Sequence, residues 1–175
     1  NAVGVQYLFL SLHEFDQVEL DGRQLLIVNC AARASQAGIE KIRKFVKAGG
    51  FLYTTDRALK HVVEPAFPGF IKWNEIKTNN DVVRVQIKRN TNALLEHVKL
   101  SDEDPHWWLD SSSYPIEIVT DHWVEVLIES KEMGERYGAS PVAMTFTYGD
   151  GRVLHIASHF YQQNQMRTRV DSRSG

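Results

Sequence analysis

The chain has 175 residues, with 20 Lys plus Arg against 22 Asp plus Glu, a formal charge of −2. That balance gives no global attraction to nucleic acid or to an anionic membrane. Hydrophobic residues at 43% and charged residues at 24% are globular values and exclude disorder across the whole chain. The lone cysteine, Cys30, excludes an intramolecular disulfide and a disulfide-stapled class.

No apolar run is long enough to span a bilayer, and Asn1-Ala2-Val3-Gly4 lacks the basic start of a signal peptide. A cytoplasmic protein is expected, with no membrane insertion and no nucleic-acid partner. With no initiator Met, the chain is read as a processed product or a domain cut from a longer protein. Residues 1–160 read as one domain and 161–175 as a polar tail or linker, so the expected partners are other domains of that longer chain or a second copy.

In chain order, Val3 to Leu12 reads as a strand with its flank, and Asp21-Gly22 as a turn. Leu25 to Val28 is a continuous apolar run, the habit of a parallel strand buried on both faces. Ser35 to Ala48 carries Ile39, Ile42, Phe45 and Val46 at helical spacing, and Gly49-Gly50 stops that helix. Phe51 to Thr55 is the next strand, and Asp56 begins a short helix to about Val63 that Pro65 and Pro68 end. This alternation predicts an α/β fold with a parallel core.

The second half is strand-rich. Strands are expected at Val82 to Lys88, Ile116 to Val119, Val124 to Glu129, Pro141 to Thr147 and Arg152 to Ala157. Asn92 to Val98 reads as a short helix and Asp102 to Pro105 as an acidic loop. Tyr148-Gly149-Asp150-Gly151 reads as a hairpin turn, since Asp-Gly tolerates positive φ. Strands 25–28, 51–55 and 152–157 are expected to be neighbours.

Three segments together resemble the class I glutamine amidotransferase-like superfamily, most of all its trehalose-utilisation-protein (ThuA-like) branch. They are IEKIRKFVKAGGFLYTTD (39–56), HWWLDSSSYPIEIV (106–119) and SPVAMTFTYGDGRVLHIASH (140–159). The resemblance implies a three-layer, flavodoxin-like fold with a mostly parallel sheet and an antiparallel extension near the C-terminus. In that family a cysteine nucleophile sits at the strand-to-helix turn, where this sequence has Asp56. His159 matches the family's general base, while Tyr161 stands where its orienting glutamate belongs. The resemblance therefore implies a pseudoenzyme, a non-catalytic ligand-binding or interaction domain without glutaminase activity.

The alternative is a hydrolase or isomerase on a carbohydrate-like substrate, with Asp56 and His159 as acid and base. Asn29, Cys30, Arg33 and Arg57 lie in the adjoining predicted loops and are candidate contacts for a small polar ligand. Each has a plainer role. Asp56 suits a helix N-cap, His159 a buried hydrogen-bonded histidine, Cys30 a small core residue, and Arg33 and Arg57 solvated surface. Chemistry through Cys30 is the third reading.

His97, His106 and His122 lie near Glu96, Asp104, Asp110 and Asp121, but no H-x-H, H-E-x-x-H or C-x-x-C spacing occurs. No metal site and no cofactor is therefore expected. Trp107-Trp108 and Trp123 are read as core packing or sheet cover before a sugar platform.

Overall fold

The computed structural model describes residues 6–30, 32–88, 92–95 and 105–159. Four helices occur among them: α1 (Leu12–Gln17), α2 (Gln36–Lys47), α3 (Glu64–Ala66) and α4 (Lys131–Tyr137). A π-helical turn, Leu59–Val63, runs directly into α3. The strands are β1 (Leu25–Val28), β2 (Phe51–Thr55), β3 (Ile71–Trp73), β4 (Asp81–Arg84), β5 (Gln86–Ile87), β6 (His106–Leu109), β7 (Ile116–Ile118), β8 (Val124–Glu129), β9 (Pro141–Tyr148) and β10 (Gly151–Ile156). No described helix is long and apolar enough to cross a membrane.

Six strands form the main sheet in the order β1-β2-β10-β9-β8-β5. β1, β2 and β10 are adjacent and parallel, with Leu26 beside Leu52 and Val153 beside Leu52. The neighbour relation expected of these three segments therefore holds. The expected mostly parallel sheet does not, because every junction from β10 through β9 and β8 to β5 is antiparallel. β3–β7 and β4–β6 are separate two-stranded ladders. The molecule is a small α/β domain with a mixed sheet, which corrects the three-layer flavodoxin-like expectation. The reason is local: a two-residue turn joins β9 to β10, and a hairpin that short permits only antiparallel pairing.

α2 forms where its apolar spacing predicts. The Ser35 side chain accepts a hydrogen bond from Gly38 N, Lys44 and Lys47 occupy the last turn, and Gly49 leaves the helix at φ 109°. Its buried face, Ile39, Ile42, Phe45 and Val46, joins the core that contains Leu52, Val153, Met144 and Phe146. Gly151 sits so close to the end of α2 that a Cβ there would strike the Val46 and Gly50 carbonyl oxygens. The hairpin can therefore pack against that helix only with glycine in this place.

Other elements depart from expectation. Residues 6–10 form no strand; Ser11 and Glu14 make a capping box that starts α1 instead. Val82 to Lys88 is broken into β4 and β5, which belong to different sheets. Pro65 lies inside the helical run rather than ending it, just after the point where the π-helical turn passes into α3. α4, capped by Ser130 and closed by left-handed Gly138, has no counterpart among the expected elements. Ala93–Leu95 is a single 3₁₀ turn of the predicted helix, and residues 96–98 lie outside the described residues. So do the acidic stretch 102–104, His97, Tyr161 and the tail 161–175.

Trp107 is core, 2% exposed, with its indole N–H donated to the Ala157 carbonyl at 3.0 Å. Trp123 is exposed, and Trp108 donates to Asn80 Oδ1.

Candidate functional site

β2 and β10 run parallel and end at one edge of the sheet, the edge where ligands bind in parallel α/β folds. Asp56 follows β2, and Ser158 and His159 follow β10. The chain leaves both strands through left-handed residues, Asp56 at φ 50° and Ser158 at φ 65°. Non-glycine residues adopt that region at a cost, and here the surrounding bonds hold them. Asp56 N donates to Ile156 O at 2.9 Å, tying the two strand exits together.

The Asp56 side chain does not cap a helix. The π-helical turn starts after Ala58 without any side-chain cap. Asp56 Oδ1 instead accepts the Tyr114 N–H at 3.0 Å, from a segment 58 residues away. Its Oδ2 faces two other groups: the Cys30 thiol donates to it at 3.4 Å, and His159 Nε2 lies 3.7 Å from it. Arg57 Nε donates to Cys30 Sγ at 3.1 Å. Cys30, Asp56 and His159 are 7%, 2% and 8% exposed.

Burial raises the Asp56 pKa, opposed by the Tyr114 N–H, the Cys30 thiol and the neighbouring His159 and Arg57. Burial also raises the Cys30 pKa, with the Arg57 hydrogen bond pulling the other way. Arg57 is itself raised, chiefly by its bond to Cys30. The cluster thus holds a carboxyl and a thiol that both resist ionisation while exposed Arg57 supplies positive charge beside them.

Of the residues expected at a site, the fold brings Asp56, His159, Cys30 and Arg57 together. Asn29 and Arg33 are exposed beside Cys30 in sequence, and no described contact joins either side chain to the cluster. Arg33, Lys60 and Arg57 all bear on His61, whose pKa is lowered first by burial and then by these charges. Sequence reasoning misses the Tyr114 backbone N–H, because nothing local marks an amide that acts across 58 residues. It also assigns no metal ligands. Yet one ligand atom each from Cys30, Asp56 and His159 lie within 4.8 Å of one another. Three separate segments supply them, so no spacing rule would find the group.

A mixed α/β sheet with an acid, an imidazole and a thiol gathered at its parallel edge defines the class of domain. No family model and no curated protein matches the chain. Among solved structures it is similar to a β-galactosidase from Rahnella sp. R3, at 17% identity and TM-score 0.56, over 88% of this chain and 24% of that one. It is likewise similar to the GH42 β-galactosidase Gan42B from G. stearothermophilus, at 16% identity and TM-score 0.53, over 86% of this chain and 21% of that one. The exo-β-1,4-mannosidase Op5Man5 from Opitutaceae bacterium strain TAV5 aligns at 10% identity and TM-score 0.52, over 86% and 23% of the two chains. The chain spans about a quarter or less of each of these proteins, and the likeness is one of fold.

These likenesses correct the expected membership of the class I glutamine amidotransferase-like superfamily and its ThuA-like branch. The structures named above are β-galactosidases and a β-1,4-mannosidase, with no amidotransferase among them. The motifs behind that resemblance have general structural causes. The helix–Gly-Gly–strand of 39–56 is a helix stop before a parallel strand, and 140–159 is a hairpin packed on a helix end. Residues 106–119 divide between β6 and β7, in two different ladders, so they form no single motif.

Proposed function

We propose that this chain is a carbohydrate-acting hydrolase domain in which Asp56 and His159 share the acid–base work. The observation that carries the reading is the 3.7 Å approach of His159 Nε2 to Asp56 Oδ2 at the parallel edge of the sheet. In this scheme His159 takes the proton from an attacking water, and the Asp56 carboxylate stabilises the imidazolium that forms. His159 then returns the proton to the departing oxygen. The occurrence of this fold in β-galactosidases and a β-1,4-mannosidase supports a sugar-based substrate.

The pair is much closer than the roughly 5–9.5 Å that separates the two carboxylates flanking a glycosidic bond. It is built as one relay, which suits removal of an acyl group from a sugar hydroxyl better than cleavage between sugars. Arg57, Asn29 and Arg33 are the polar residues assigned to grip the substrate.

The test offers the full chain acetylated galactose and mannose beside 4-nitrophenyl β-galactoside and β-mannoside. Acetate release is expected, falling about 100-fold in both Asp56→Asn and His159→Gln. Nitrophenol release in place of acetate would overturn the acyl assignment and keep the pair. Release of neither, or release that survives both substitutions, would overturn the reading.

A further inference from the structure

We propose that Cys30, Asp56 and His159 form a binding site for a divalent transition cation of zinc's class, and that the bound cation switches off the Asp56–His159 pair. The second clause rests on the function proposed above; the first stands on geometry alone. Sγ and Oδ2 are 3.4 Å apart, Oδ2 and Nε2 are 3.7 Å apart, and all three donors fall within 4.8 Å of one another. A tetrahedral zinc ion with ordinary bonds to sulfur, oxygen and nitrogen separates its ligand atoms by roughly 3.4–3.6 Å. Two of the three separations already match such a tetrahedron, the third is held within 4.8 Å, and the fourth corner is left for water or an anion.

The donor set points the same way. One sulfur, one imidazole nitrogen and one carboxylate oxygen form a borderline-soft set, which suits zinc, cobalt or iron(II) and not magnesium or calcium. The surroundings hold the ligands in place. The Tyr114 N–H fixes Oδ1, so that Oδ2 is the oxygen presented to both Cys30 and His159. The Arg57 N–H on Sγ favours the thiolate that metal binding needs. Binding replaces the S–H···O bond by two metal bonds and releases the thiol proton to solvent. Because the cation occupies Oδ2 and Nε2, it takes the atoms through which the acid–base pair works, so metal and turnover exclude each other.

Cobalt(II) is the direct probe, with zinc as competitor, on metal-free full-length chain and without substrate. One equivalent is expected to give a thiolate-to-cobalt absorption band in the near ultraviolet that zinc abolishes, with release of a proton. Cys30→Ser, which is nearly isosteric, should remove that band, and His159→Gln should weaken binding by at least roughly 100-fold, more than the loss of an outer partner costs. Circular dichroism of both variants reports whether they remain folded. If a variant unfolds, the wild-type band and its proton release still decide the matter. Absence of the band in wild type, or equal affinity in folded Cys30→Ser, would overturn the site. A cobalt band in a protein without hydrolase activity would sink only the acid–base reading. A band without inhibition of an active protein would sink only the switch.

Discussion

β1 is a continuous apolar run and β9 opens on one, Pro141 to Met144, yet their environments are opposite. β1, Leu-Leu-Ile-Val, is the edge strand of the main sheet, with Leu25 57% and Ile27 54% exposed. β9 lies between β10 and β8, and its residues Pro141 to Phe146 are all buried. The reading of Leu25 to Val28 as a strand buried on both faces is thus corrected, while β9, paired antiparallel on both sides, is the strand that is so buried. An apolar run reports that a strand is compatible with burial. Its place in the sheet decides whether burial happens, since an edge strand has a neighbour on one side alone.

The sharpest test of that contrast is deletion on β9. Met144 is fully buried and faces the core with Phe146, which stacks on Phe70 at 4.4 Å between ring centres. Met144→Ala should destabilise the domain by about 2–5 kcal/mol in chemical denaturation, through lost transfer energy and a cavity. A loss below about 1 kcal/mol would mean that the centre of the sheet collapses around the gap and is not close-packed.

A second, smaller effect lies opposite Met144, at its register partner His155. His155 is fully buried, bonds Thr54 Oγ1 through Nδ1 at 2.8 Å, and leaves Nε2 without a hydrogen-bond partner among the described residues. Burial lowers its pKa to about 3. Between that value and the ordinary histidine range near about 6.5, the unfolded chain binds the proton and the folded one does not. Stability therefore rises with pH in this window and is lost as the pH falls below about 6.5. The loss attributable to this group reaches roughly 2 kcal/mol by about pH 5. Stability measured at about pH 7 and about pH 5 should diverge less in His155→Leu than in wild type. Equal divergence would show that His155 is not the group held neutral.

The smallest effect is expected on β1. Ile27→Ala removes a side chain more than half exposed and should cost under about 0.5 kcal/mol. A loss comparable to that of Met144→Ala would break the comparison outright, because it would show that the β1 face is covered in solution.

The site is legible in the sequence only where each residue is tied to a strand end. Asp56 and His159 are picked out by the amidotransferase-like resemblance, and they meet because they follow β2 and β10, parallel neighbours whose exit loops lie at one edge. Cys30 is reachable by the same reasoning, since it lies just past β1. The role of Asp56 is not legible. Its residue type fits an N-cap equally well, and only the Tyr114 segment, arriving from the far side of the sequence, draws the carboxylate away from the helix. Metal-ligand spacing fails for the same reason, because Cys30, Asp56 and His159 converge from three strand exits and share no motif.

By itself the sequence determined what depends on neighbours a few residues away. The helix Gln36–Lys47 and its caps, the extents of β1, β2 and β8, and the Gly149–Asp150 turn all arise from periodicity, capping chemistry and permitted φ. The tertiary structure alone decided what depends on pairing between distant segments. It set the antiparallel majority of junctions, the exposure of β1, the division of residues 82–88 between two sheets, and the meeting of a thiol, a carboxylate and an imidazole. A strand carries its conformation in its own side chains, but its partner, its direction relative to that partner and its burial are properties of the pair.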